Sequence, residues 1–422
     1  MTPSTPLGNS TGYSLEDIWN LINNNSTTTA GTHNSQPTVS PTASMHSLSD
    51  IYTSLINLGI SKGPNVKVGT TYLGAVGSYV VSSEFCGGDG STGNPYQICS
   101  WAQLNNVRNH LAAEYILNNN LSSADTGYSG LGNNWQPIGT STSQFTGSFN
   151  GNNKTVSNLT INLPSANYVG LFGYVSGNIS NFGLVNDNIT GSSFVGGLIG
   201  WQNSGTTSNS YISGSVSGVD EVGGLVGDMN AVVIVNSYST ATVNTSGDYA
   251  GGLVAWQGGG TITNSHATGN VSGPGDYIGG LVGNQDSGMI LQSYATGNVA
   301  GDYNVGGLAG SVDEKIYNSY ATGNVTGSHS VGGLVGTCWH GTISKSYSVG
   351  AVSGSVNFGG LVGYLIGGME PNSYWNTETS GQSGSAGGVG ATTLEMQTQG
   401  TFNGWDFSTI WNILAGNYPV LR

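Results

Sequence analysis

One pattern constrains this chain more than any other: a Gly-Leu core that returns eight times at a nearly fixed interval. It reads VGLFG at 169, VGGLIG at 195, VGGLVG at 222, AGGLVA at 250, IGGLVG at 278, VGGLAG at 305, VGGLVG at 331 and FGGLVG at 358. The leucines are Leu171, Leu198, Leu225, Leu253, Leu281, Leu308, Leu334 and Leu361, spaced 27, 27, 28, 28, 27, 26 and 27 residues apart. A fixed period of this size marks an architecture in which each unit buries its apolar face only against its neighbours. Twelve or thirteen residues after the leucine comes a second mark, Tyr211, Tyr238, Tyr294, Tyr320, Tyr347 and Tyr374, with His266 in place of Tyr in one copy. Each of these follows a serine, usually with Asn before it. A Gly-x-Val-x-Gly element comes next, as in Gly269–Gly273 and Gly323–Gly327.

Each unit therefore holds three short, alternating apolar segments separated by Gly, Asn, Ser and Asp. Alternation reads as strand, and segments of this length are too short for stable helices. Stacking copies coil on coil lets every strand pair above and below, and lines the Leu, Val and aromatic rows into one continuous core. The expected fold is all-β, a parallel β-helix or β-solenoid of about eight coils of ~27 residues. At about 4.8 Å per coil the eight coils would span about 38 Å. The glycine pairs before each leucine mark corners that need positive φ or close backbone approach. The Ser row should form a ladder flanked by an Asn row whose side-chain amides bond one another.

The repeated Gly-Leu-hydrophobic-Gly core resembles the GLUG repeat over about residues 169–375. The resemblance implies β-solenoid modules in large bacterial surface and secreted proteins, with adhesive or structural roles. Some relatives carry a zinc peptidase elsewhere, but this sequence has no His-Glu-x-x-His.

Four regions follow: a tether at 1–75 with two short helix repeats, an N-terminal cap with the first solenoid strands at 76–165, the repeats at 166–375, and a C-terminal cap at 376–422. In the tether, Tyr13–Trp19 returns as His46–Tyr52, each opening with Ser and a carboxylate three residues on, a helix start. Two such helices cannot build a core and read either as docking elements for another subunit, the favoured reading, or as a mobile tether. In the N-terminal cap, Ser100 with Gln103 signals a helix whose Trp101, Leu104, Val107 and Leu111 share one face, with Arg108 and His110 solvated. After the repeats, a Gly/Ser linker at 380–391 leads to Phe402, Trp405, Phe407, Trp411 and Tyr418, expected to pack on the last coil.

Composition narrows the function classes. Only 7% of residues are charged, where soluble domains carry roughly 25%, and the net charge is −14 with 7 Lys plus Arg. Phosphate binding needs clustered cations, so nucleic acid is excluded as a partner, and anionic membrane surfaces for the same reason. No apolar run reaches the roughly 20 residues of a membrane helix, so membrane insertion is not expected. The opening MTPSTPLGNSTGYS lacks the basic and apolar regions of a signal peptide, so export is inferred, through a removed leader or a route such as virion assembly. Cys86 and Cys99 flank a Gly-rich turn and are the disulfide candidate, which suits an oxidising compartment. Cys338 stands alone.

Parallel β-helices host polysaccharide lyases and hydrolases, whose sites need converging carboxylates beside a basic residue. Lys315 and Lys345 are the only cations in the repeats. What the repeats offer is a row, Asp220, Asp248, Asp276 and Asp302, at one corner of adjacent coils. Stacked carboxylates repel unless solvated or bridged, so these are the Ca²⁺ candidates, with a solvated turn as the simpler reading. No catalytic residue and no required cofactor is assigned. The expected function is an extracellular, cell-surface structural or adhesive protein, self-associating through its tether or solenoid ends into a fibre or filament. The alternatives are an adhesin or phage-type fibre protein that binds host or surface glycans, and, third, a carbohydrate-active β-helix enzyme.

Overall fold

The computed structural model describes residues 84–131, 134–368 and 372–422, together with the backbone of two short antiparallel strands, Ser10–Thr11 and Thr32–His33. Both helix starts read in the tether lie outside the described residues. Residues Met1–Val81 and Ser82–Arg422 are separate compact units, and the second holds every feature analysed below.

That unit is a parallel β-solenoid of about eight repeat coils. Equivalent strands pair in register from one coil to the next: Val226 with Val254, Val254 with Val282, and Val282 with Ala309. The same holds at Val243, Val271 and Val299 on another face. A third row forms its own seven-stranded parallel sheet, from Ser193–Gly196 to Val356–Gly359. All eight repeat leucines are fully buried, layered with the apolar side chains that follow them, Val in five coils and Phe172, Ile199 and Ala309 in the others.

The glycine pairs serve close approach rather than left-handed backbone. None of them lies at positive φ. A Cβ on Gly224 would sit 2.1 Å from the Gly252 carbonyl oxygen and 2.3 Å from Ser239 Oγ. Left-handed residues instead form two rows of their own. One is the residue before each repeat serine, Asn209, Asn236, Asn264 and Asn318 among them, at φ 48 to 51°. Asn tolerates that region better than most side chains, which explains the Asn-Ser-Tyr signature. The side-chain amide ladder expected there exists only at the start, where Asn209 Nδ2 donates to Asn181 Oδ1 at 3.0 Å. The better amide ladder is in the Gly-Asn-Val element: Asn270 and Asn298 each accept the backbone N–H of the next coil's Asn, at 2.9 and 3.0 Å.

The serine row is continuous. The backbone N–H of Ser210 donates to Ser237 Oγ at 3.2 Å, Ser237 to Ser265 at 3.2 Å, Ser265 to Ser293 at 3.2 Å, Ser293 to Ser319 at 3.2 Å, Ser319 to Ser346 at 3.1 Å and Ser346 to Ser373 at 3.2 Å. Each intermediate hydroxyl then donates to the carbonyl two residues before it, as Ser265 Oγ does to Thr263 at 2.8 Å. These serines are buried, and a buried polar backbone group without a partner is costly.

The tyrosine row corrects the sequence reading. Tyr211, Tyr238 and Tyr294 point outward from the coils and are half-buried, while the residue after each faces the interior. The rings stack up the outside at 4.9 Å for Tyr211–Tyr238, 4.9 Å for Tyr238–His266, 4.6 Å for His266–Tyr294, 4.8 Å for Tyr294–Tyr320 and 5.1 Å for Tyr320–Tyr347, within 8° of parallel. Tyr320, Tyr347 and Tyr374 are buried because the C-terminal segment lies over them with Met396, Phe402, Trp405 and Trp411.

This segment also reverses the roles expected for 376–422. The Gly/Ser stretch closes the last coil: Gly360 N–H donates to the Gly384 carbonyl at 3.1 Å, and Ser385 Oγ accepts from Leu361 and Val362 at 3.1 and 2.9 Å. The aromatic stretch runs back along the side of the rod, where Trp411 Nε1 donates to Asn318 Oδ1 at 3.4 Å.

At the other end, strands Tyr96–Ile98, Glu114–Leu117 and Ser148–Ser157 carry the parallel stack beyond the aligned repeats. Helix α1, Trp101–Asn106, has Ser100 Oγ accepting the Gln103 amide at 3.4 Å, and buries Trp101 and Leu104. Arg108 is half-buried rather than fully solvated. Its guanidinium lies 5.4 Å from the Trp135 ring and donates to the Gln136 carbonyl at 2.9 Å. Cys86 and Cys99 are joined by a disulfide beside this helix, and Cys338 is buried within its coil.

The serine ladder gives a direct prediction. Ser265→Ala removes the acceptor of the buried Ser237 N–H and should cost about 1–3 kcal/mol in chemical unfolding. The surface control Thr242→Ala should stay within about 0.5 kcal/mol. Equal, near-zero effects would mean the ladder adds nothing to the coil.

Candidate functional site

Outside the core, the coils present two rows of side chains three residues after and four before each leucine. In the first, Tyr174, Trp201, Asp228, Trp256 and Asn284 pair in strand register. In the second, Phe194, Glu221, Tyr249 and Tyr277 share the left-handed corner. The two rows meet. Phe194 and Trp201 are 4.9 Å apart, Tyr249 and Trp256 4.8 Å. Along the second row, Tyr168 stacks on Phe194 at 4.9 Å and Tyr249 on Tyr277 at 4.7 Å, both within 9° of parallel.

One coil interrupts both stacks. Between the Phe194/Trp201 pair and the Tyr249/Trp256 pair, the intervening coil carries Glu221 and Asp228 in the aromatic positions. Asp228 is 8% exposed, and no hydrogen-bond donor reaches it among the described residues. Burial pushes its carboxyl up to about 7, with the nearby Glu221 and Asp286 charges adding to the rise. Burial likewise raises Glu221 to about 7, with Asp220 adjoining. The Tyr249 phenol is raised to about 12, by burial first and then by Tyr277 and the surrounding carboxylates.

Repeat alignment did not single out these residues, because they break the repeat. The available signal was an aromatic at a fixed offset from the leucine in several coils, replaced by acid in one.

The aspartate row expected as a calcium candidate has a different geometry. Asp220 Oδ1 accepts the backbone N–H of Asp248 at 2.9 Å, and Asp248 Oδ1 that of Asp276 at 2.9 Å. Asp302 drops out of register, and Tyr303 takes its place opposite His329. Asp276 is raised by burial, then by Asp248 and Asp302. The row is a carboxylate–amide ladder, and no group of three or more His, Cys, Asp or Glu suited to a metal occurs among the described residues. The leucine row lies wholly inside, out of reach of any ligand.

The raised carboxyls set a pH dependence. Both folded values exceed the ordinary 3.8 and 4.5 of Asp and Glu. The folded rod therefore holds protons that the unfolded chain has released between about pH 4 and 7. Their contribution to stability is complete below that window and declines as pH rises through it. Glu221→Gln should lower the Asp228 midpoint, read by carboxyl carbon NMR, because it removes a neighbouring negative charge. An unchanged midpoint would mean that the two carboxyls do not interact.

Comparison with known proteins bears on the repeats. The family model for the GLUG motif matches residues 246–272 and 301–326. A protein of Evansella cellulosilytica named "Putative Gly-rich membrane protein" is 39% identical over 112 residues, covering 26% of this chain and 13% of the relative. Halomucin of Haloquadratum walsbyi is 37% identical over 117 residues, 26% of this chain and 1% of that protein. The chain thus spans a small fraction of the length of these relatives. A crystal structure titled "a putative immunoglobulin A1 protease from Bacteroides ovatus" superposes with a TM-score of 0.48 at 21% identity, covering 80% of this chain and 95% of that one. Two motif matches set on coils that stack in register make this chain a GLUG-repeat β-solenoid protein.

Proposed function

We propose that this chain is a structural and adhesive protein of the cell surface, working outside the cell, with the solenoid as a stiff stalk. The supporting observation is the unbroken set of ladders: the same Leu, Ser and aromatic positions repeat through the coils in one register, which gives rigidity along an axis rather than a cleft of converging groups. A disulfide at Cys86–Cys99 fits an oxidising compartment. Among the described residues no helix is long and apolar enough to cross a membrane.

The version in which coil ends join neighbours loses support, because the Gly/Ser stretch hydrogen-bonds the last coil and, at the other end, Cys86 and Gly87 pair with Gln97 of the outermost strand at 2.9 and 2.8 Å. Covered edges are how β-structures avoid pairing with other chains. Self-association is therefore assigned to residues 1–75, and the outer aromatic rows are the surface on which an adhesive ligand, a glycan among them, would be held. We read the chain as non-enzymatic: Lys315 and Lys345, the cations of the repeats, are not among the charges acting on Glu221 or Asp228.

Negative-stain microscopy over a concentration series, on the full chain and on a chain lacking residues 1–75, tests this reading. Filaments or pairs that disappear on truncation are expected, with single short rods remaining. Assembly that survives truncation would place the contacts on the solenoid instead, and turnover of a polysaccharide would replace the reading with an enzymatic one.

A further inference from the structure

The interrupted stack is built from parts that share one preference. Phe194 and Trp201 on one side, and Tyr249 and Trp256 on the other, bring π-clouds whose faces are electronegative. Between them, Asp228 is more than nine-tenths buried without a hydrogen-bond donor, and Glu221 shares its coil. The charges acting on these two carboxyls, Asp220, Asp286 and each other, are all negative. Charges left uncompensated in a half-buried site are costly, and elsewhere in this chain acids are supplied with donors, as in the Asp220–Asp248–Asp276 ladder.

Spacing narrows the ligand. Rings one coil apart stack at 4.7 to 4.9 Å, so the rings flanking the Glu221–Asp228 coil stand two such steps apart, with the two carboxyl groups at the level of a missing ring. A neutral sugar would leave the charge that these carboxyls acquire as they ionise near pH 7 without a counterion. A guanidinium is flat, stacks on aromatic faces and binds carboxylates through paired N–H groups.

We propose that the Glu221–Asp228 coil is a binding site for a guanidinium group, stacked between the Phe194/Trp201 and Tyr249/Trp256 pairs and bonded to the two carboxylates. The group could come from a free small molecule or from an arginine side chain of another polypeptide. The site stands independently of whether the stalk assembles into fibres.

The test is titration calorimetry of the full chain with agmatine, with putrescine as the ammonium counterpart, and with the tripeptides Gly-Arg-Gly and Gly-Lys-Gly. Saturable agmatine binding is expected, weaker by about tenfold or more in Asp228→Asn and in Glu221→Gln. Trp256→Leu, which keeps both charges, should also weaken it, by about threefold to tenfold. Putrescine and Gly-Lys-Gly should bind less tightly than their guanidinium counterparts. Gly-Arg-Gly binding tighter than agmatine would identify a polypeptide source, and the reverse a small molecule; either supports the site. Unfolding midpoints of the variants, measured in parallel, separate lost binding from lost fold. No saturable heat up to about 20 mM agmatine would overturn the proposal. So would binding unchanged in Asp228→Asn, or displacement by millimolar Ca²⁺ with Trp256→Leu unaffected, which would reduce the site to an acidic cluster. Saturable binding of a neutral oligosaccharide where agmatine is inert would overturn it as well.

Discussion

The solenoid of this protein depends on one constraint: each of its strands must pair with the equivalent strand one coil above and one coil below. A short strand has little surface to bury and cannot fold alone. In register, its backbone groups are paired on both sides, and its side chains meet their own kind. The serine ladder shows how strictly the coil enforces this. One hydroxyl accepts an amide from the coil before and returns its proton to the carbonyl two residues earlier, so each rung satisfies groups that a buried corner would otherwise leave bare. A left-handed Asn immediately before the serine makes the turn that sets this geometry.

The period and the leucine row carried most of the fold in the sequence, since a Gly-Leu core recurring every 26 to 28 residues leaves few ways to bury eight leucines. The direction in which the tyrosines point was less legible. Tyr and the residue after it occupy alternate faces of a short strand, and aromatic character alone argued for the interior. The structure puts small residues inside, such as Ala267, Ala295 and Ala321, which are fully buried, and leaves the larger rings to stack half-buried on the outer wall. The glycine pairs were read correctly as crowded backbone, but the positive φ belongs to neighbouring non-glycine residues.

The ends were the least legible part. A Gly/Ser-rich stretch looks like a linker because it has little to bury, yet an exposed coil edge needs hydrogen-bond donors and acceptors more than apolar area. Residues 380–391 supply them, while the tryptophans cover the tyrosine row from the side. Similarly, the aromatic–carboxylate coil could not be seen by aligning repeats, because alignment rewards what recurs. Glu221 and Asp228 stand out only once the rows are known to be in register, when two acids appear where their neighbours place rings.

The central claim, that residues one period apart touch across adjacent coils, is open to a covalent test. Ser272 Oγ lies 2.8 Å from Asn244 Oδ1, with Ala300 opposite Ser272 on the next coil. Cysteines placed by Asn244→Cys and Ser272→Cys should cross-link under mild oxidation of the folded chain, located by mass spectrometry of the digest. Asn244→Cys with Ala300→Cys, two coils apart, should not. Efficient cross-linking of the second pair, or failure of the first in folded protein, would contradict the in-register solenoid on which the rest of this account stands.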